Sequence, residues 1–116
     1  MLSIALSLHD ALPILQEVHH NDLTAALAAP VAVLDFNATW CGPCKMLGPV
    51  LEEVSNEMAD KAAFFGIDCD ENPQLAAQFG VSSIPCLMVL KNGKMVTHQV
   101  GFQPKPALVA WLNGVL

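Results

Sequence analysis

The chain has no arginine. Its five lysines face eleven Asp and Glu residues, for a formal charge of −6 over 116 residues. Nucleic acids are held by clustered cationic side chains that displace counterions, so an acidic chain without arginine falls outside that class. Anionic membrane surfaces are excluded as partners on the same ground. No run of roughly 18 apolar residues occurs, so no segment reads as a membrane-spanning helix. Internal repeats, low-complexity tracts and linkers are absent as well. Charged residues make up only 14% of the chain and hydrophobic ones 53%, which favours one packed domain over disorder.

The first fifteen residues, MLSIALSLHDALPIL, have the apolar weight of an export signal but not its pattern. No Lys or Arg stands near Met1, and His9, Asp10 and Pro13 interrupt the run. Ile4, Leu8 and Leu12 fit a helix face, and Leu2, Ile4, Leu6 and Leu8 fit an alternating strand equally well. Four cysteines make an even count, but a chain with this much core needs no disulfide staples. The expectation is a cytoplasmic protein with free or catalytic thiols.

Apolar runs alternate with helical periodicity, as in α/β layer structures. ILQEV (14–18) reads as a short first strand. Asn21 is expected to cap a helix through Leu23, Ala26 and Leu27 that Pro30 ends. VAVLDF (31–36) is the kind of continuous run found in strands covered on both faces. Leu47, Val50, Leu51, Val54 and Met58 then recur at helical spacing, opposite Glu52, Glu53 and Glu57, with a kink expected at Pro49. AAFFGI (62–67) reads as a strand, and a short helix follows from Pro73 through Leu75, Ala76 and Phe79 to Gly80. CLMVL, KNGK and MVTHQV (86–100) form a hairpin pattern with Asn92-Gly93 as its turn. Pro104 opens a last helix through Leu108, Trp111 and Leu112. The order is β-α-β-α-β-α-β-β-α, with the final two strands antiparallel and the earlier ones parallel through helical crossovers.

TWCGPCKM (39–46) falls where the central strand hands over to the longest helix. A helix start offers free N–H groups and partial positive charge, which stabilise a thiolate at Cys41. Cys44 is one turn further in and more covered. The spacing puts both sulfurs on one side of a turn, within bridging reach. Gly42 and Pro43 leave no bulk over them. C-x-x-C alone fits a redox dithiol, half of a metal site or a structural disulfide. Cys41, Cys44, Cys69 and Cys86 could together hold zinc or an iron–sulfur centre, but the gaps of 2, 24 and 16 residues give no second close pair. His9, His19, His20 and His98 show no ligand spacing with a cysteine.

WCGPCK (40–45) resembles the active-site sequence of the thioredoxin family. Asp35 stands six residues before Cys41, as in that family. SIPC (83–86), KNGK (91–94), Val100-Gly101 and DENP (70–73) extend the likeness over roughly residues 14–116. The resemblance implies a thioredoxin fold: a five-stranded mixed β-sheet flanked by four helices. Residues 14–116 would form the domain, and 1–13 an N-terminal extension that matches nothing in the family. It also implies a protein-disulfide reductase. Cys41 would attack a target disulfide, and Cys44, deprotonated with help from Asp35, would resolve the mixed disulfide. Ile84-Pro85 would be a cis peptide facing the dithiol. Trp40, Gly42, Pro43, Ile84, Pro85, Val100 and Gly101 would form the docking surface for disulfide-containing proteins. A flavin- and NADPH-dependent thioredoxin reductase would restore the dithiol of a monomer that binds no cofactor and no metal itself. Gly-Pro between the cysteines favours reduction over an oxidase or isomerase role; a non-catalytic binding scaffold is the remaining alternative.

Three internal positions depart from the family pattern. Asn37 stands where many thioredoxins carry Trp. Gly66 stands where a buried Lys commonly accompanies the aspartate, and without that cation Asp35 should titrate unusually high. Cys86 stands where Thr is usual, which should bring a third sulfur near Cys41 and Cys44. It is either a small buried strand residue or an accessory thiol. Cys69 reads as buried and inert. Read without the family, Asp35 is either an acid at a strand end that reaches water or a buried carboxyl with a raised pKa.

Overall fold

The computed structural model describes residues 14–116. The expectations for the leading segment, including its two alternative patterns and the boundary of the extension, lie outside these residues. Five strands and four helices are described: β1 (Leu15–Glu17), α1 (Thr24–Ala28), β2 (Val31–Asn37), α2 (Gly42–Glu57), β3 (Ala63–Asp68), α3 (Pro73–Gln78), β4 (Cys86–Lys91), β5 (Lys94–Val100) and α4 (Lys105–Val115). They build one mixed sheet in the order β1-β3-β2-β4-β5.

β2 is central because its residues are apolar on both sides. Ala32, Leu34 and Phe36 face one layer with Phe65, Ile67, Met88 and Leu90, covered by Leu23 and Ala26 of the first helical segment and Leu75 of α3. Val33 faces the other with Phe64, Leu87 and Val89, covered by Leu47, Leu51 and Val54 of α2 and Leu108 and Leu112 of α4. Each fully buried leucine in this second layer contributes about 2 kcal/mol through the apolar surface it withdraws from water. Strand alternation puts Asp35 on the α2 side and Phe36 on the other.

β1, β3 and β2 run parallel, as expected for strands joined by helical crossovers. β4 is different: it runs antiparallel to β2, and β5 antiparallel to β4. The helix α3 therefore joins strands of opposite direction and is not a parallel crossover. In the β4–β5 turn, Asn92 and Gly93 have φ of 52° and 79°, the positive values a two-residue hairpin turn demands. The long helix α2 runs without interruption through Pro49.

Asn21 does not cap its own helix. That helix has Leu23 at its N-cap and no side-chain cap bond. Asp22 is the residue whose Oδ1 accepts from the amide of Thr24, at 3.0 Å. Asn21 instead caps α3, fifty residues on: its Oδ1 accepts from the amides of Gln74 and Leu75, at 3.0 and 3.1 Å. Its own amide donates to Oδ1 of Asn72, at 2.8 Å. These bonds fasten the loop after β1 to the start of α3.

Candidate active site

The chain leaves β2 at Asn37 and enters α2 at Gly42, so the site forms at the carboxyl end of the central strand. Open α/β sheets carry their functional crevices at such ends. Cys41 is the N-cap of α2, with extended backbone. Pro43 lies in the first turn, where its missing N–H costs nothing. The amide of Cys44 donates to the Cys41 sulfur at 3.3 Å. The Cys41 thiol in turn donates to the carbonyl of Ile84, at 3.9 Å. Cys41 and Cys44 pack together with Ala38 and Ile84, and both are free thiols, the reduced form of the pair. Burial pushes the Cys44 thiol up to about 12, reinforced by its hydrogen bond with Cys41 and by the nearby charge of Asp35.

Asp35 is buried, and its pKa is raised to about 7. Removal from water is the main cause. A 3.4 Å hydrogen bond from the Asn37 amide to Oδ2 opposes it, and the charge of Glu17 adds to it. Oδ1 has no hydrogen-bond partner among the described residues. Asp35 lines an open cleft of about 480 Å³ together with Cys44, Lys45, Asn37, Glu17 and Glu52. The carboxyl and the second thiol thus share one solvent-reaching space.

Ile84-Pro85 is a cis peptide. The amide of Gly101 donates to the Pro85 carbonyl at 2.8 Å, and Val100 pairs with Cys86 across the hairpin. Ile84, Pro85, Val100 and Gly101 are thereby held in one corner, with Ile84 against the two sulfurs. Trp40 is 70% exposed, an unusual state for so large an apolar side chain. Its indole Nε1 donates to Oδ2 of Asp70 at 2.8 Å, which fixes the ring.

Sequence and structure comparisons agree with this geometry. The thioredoxin family profile matches residues 13–114. Thioredoxin from Bacillus subtilis (strain 168) is 51% identical over 93 residues, covering 80% of this chain and 89% of that protein. Thioredoxin from Staphylococcus aureus (strain N315) is 48% identical over 97 residues, covering 84% and 93%. A solved structure of a mutant thioredoxin from Halobacterium salinarum NRC-1 superposes with a TM-score of 0.79 at 36% identity, covering 90% of this chain and 93% of that one.

The chain belongs to the thioredoxin family. It is a thiol–disulfide oxidoreductase that reduces disulfides in protein substrates through the Cys41/Cys44 dithiol. No helix among the described residues is long and apolar enough to cross a membrane.

Against the thioredoxin pattern, the three departures resolve as follows. Cys86 does not join the cluster of Cys41 and Cys44. Its register with Phe36 turns it to the opposite sheet face, where it packs with Phe36, Met88 and Leu90. Cys69 packs at the edge of that same layer. No group of three or more His, Cys, Asp or Glu converges as a metal cluster among the described residues. Asn37 bonds back to Asp35 through both its carbonyl and its carboxyl. Gly66 leaves a gap that the side chain of Glu17 covers: a Cβ added there would lie 3.0 Å from the Glu17 Oε2. Glu17 and Asp70 do not stand out in the sequence. Asp70 belongs to the DENP run, but Glu17 reaches the site only because β1 pairs with β3.

Proposed function

We propose that Cys41 is the attacking sulfur, Cys44 the resolving sulfur and Asp35 the base that takes the Cys44 proton. The Cys41 thiolate attacks one sulfur of a target disulfide. The S–S bond breaks and the other target sulfur leaves as a thiolate that picks up a proton. Cys44 then gives its proton to Asp35, and the new thiolate attacks the Cys41 sulfur. The mixed disulfide breaks, the second target sulfur leaves, and two electrons have passed from the dithiol to the target.

The observation that carries this reading is the pairing of opposites in one cleft. A thiol pushed up to about 12 cannot ionise unaided at neutral pH, and the carboxyl beside it titrates near 7, where a general base works best. Exposed Trp40, Gly42 and Pro43, together with Ile84, Pro85, Val100 and Gly101, are the surface on which the target chain docks. An extended target would pair with main-chain groups at the Pro85 loop. The unit that does this is residues 14–116, acting as a cytoplasmic monomer. A flavin- and NADPH-dependent thioredoxin reductase returns the oxidised pair to the dithiol.

Insulin reduction tests the assignment. Wild type turns over with reductant present, and Cys41→Ser abolishes turnover. Cys44→Ser accumulates a covalent mixed disulfide with a peptide disulfide, whereas Cys41→Ser accumulates none. Trapping by Cys41→Ser in place of Cys44→Ser would reverse the two roles.

A further inference from the structure

Glu17 and Asp35 lie in one row across the sheet, each paired with Gly66 on the strand between them. Residues in register on neighbouring strands point to the same face. With glycine in the middle, β3 puts no side chain between the two acids. Glu17 leans into that gap, its Oε2 3.0 Å from the place a Gly66 Cβ would occupy. Both acids line the same cleft as Cys44, and the buried Oδ1 of Asp35 has no partner there.

We propose that Glu17 is a positioning residue for disulfide exchange: its carboxyl, laid over Gly66, faces Asp35 across the cleft and sets the pH at which Asp35 is free to accept the Cys44 proton. This rests on Asp35 being the base. An ionised Glu17 repels a second negative charge on Asp35, so Asp35 keeps its proton to higher pH. The charge of Glu17 does act to raise Asp35. Glu17 is itself raised, by partial burial first and by Glu71 and Asp68, with His19 opposing. From α2 the cleft receives Lys45 and Glu52, of opposite sign, besides the Cys44 thiol; Asn37 comes from β2 itself. Of these acids only Glu17 lies in register with Asp35.

The test is a carboxyl NMR titration of the reduced full chain, run beside the pH profile of single-turnover peptide-disulfide reduction. In Glu17→Gln the Asp35 midpoint should fall by about half a unit or more, as expected for loss of one like charge. The acid limb of the rate profile should move down with it. On an Asp35→Asn background, Glu17→Gln should leave the profile unmoved. Glu17 is on the surface, so the variant keeps the fold. An Asp35 midpoint that Glu17→Gln leaves in place overturns the inference. So does an acid limb that shifts equally when Asp35 is absent. If Asp35→Asn alone keeps the wild-type profile, the base assignment falls, and the role of Glu17 with it. The failure of Glu17 alone is distinct: Asp35→Asn loses the acid limb while Glu17→Gln leaves it at its wild-type position.

Discussion

The main-chain amide of Cys44 points at the sulfur of Cys41 from 3.3 Å. Cys44 itself is pushed up to about 12, chiefly by burial. At pH ~8 about one Cys44 in ten thousand is then ionised, too few for appreciable alkylation. Burial raises Cys69 and Cys86 as well. Sub-stoichiometric iodoacetamide should therefore label Cys41 almost alone in the reduced protein. Peptide mass spectrometry reads the distribution. Comparable labelling of Cys44 would contradict the asymmetry.

Asn21 joins two parts of the chain that sequence keeps apart. It caps α3 and holds a left-handed backbone, φ 54°. Loss of a cap costs about 1 kcal/mol, and a residue with a Cβ in that conformation costs roughly 1 kcal/mol more. Urea unfolding should rank wild type above Asn21→Gly, which loses the cap alone, and Asn21→Gly above Asn21→Ala, which loses both. Asn72→Ala should be at least as harmful. Asn72 is fully buried, accepts from Asn21, and donates to the carbonyls of Val18 and Asp68. Equal stability of the two Asn21 variants would mean that the backbone conformation carries no strain.

What local spacing controls was legible in the sequence. The unbroken run at 31–36 became the central strand, Asn92-Gly93 the hairpin turn, and the C-x-x-C pair a helix start. What depends on remote partners was not. Nothing near Asn21 shows that its acceptors lie on Gln74 and Leu75. The direction of β4 against β2 follows from where the chain returns to the sheet, not from the composition of either strand. Asp35 illustrates the boundary. Its residue type allows a water-reaching or a buried acid, and the choice comes from α2 covering that face of β2. Glu17 is invisible for the same reason, because its relation to Asp35 exists only once two parallel pairings share Gly66.

Cys86 supplies a prediction that separates packing from chemistry. It is buried among Phe36, Met88 and Leu90, on the sheet face opposite Asp35. Cys86→Ser should reduce insulin within about twofold of wild type, since the dithiol and its base are untouched. Stability should drop by about 1–2 kcal/mol, because the hydroxyl replaces a small apolar group where no water reaches. Disulfide mapping after mild oxidation should give only a Cys41–Cys44 bridge. A bridge that includes Cys86 would make it an accessory thiol after all.

Asp35 links activity to stability through its proton. In the folded chain it titrates near 7, and in the unfolded chain near the ordinary aspartate value, about 3.9. The folded value is raised, so the sign is opposite to that of a salt-bridged carboxylate. Below pH ~4 both states hold the proton and the titration of Asp35 no longer changes stability. Between about 4 and 7 the unfolded chain has released it and the folded chain has not, so stability falls as pH rises. Above 7 the buried charge carries its full cost, up to about 4 kcal/mol for a shift of about three units. Asp35→Asn should therefore be more stable than wild type by about 2–4 kcal/mol at pH 8, with the difference shrinking toward zero near pH 4. Paired urea unfolding of the two proteins across this range isolates Asp35, because every other carboxyl is common to both. The same variant should resolve mixed disulfides more slowly at neutral pH, since no buried base remains to take the Cys44 proton. A stability difference that stays flat with pH would mean that Asp35 is ionised in the folded chain throughout, and its proton-accepting role would then have no acid limb to act through.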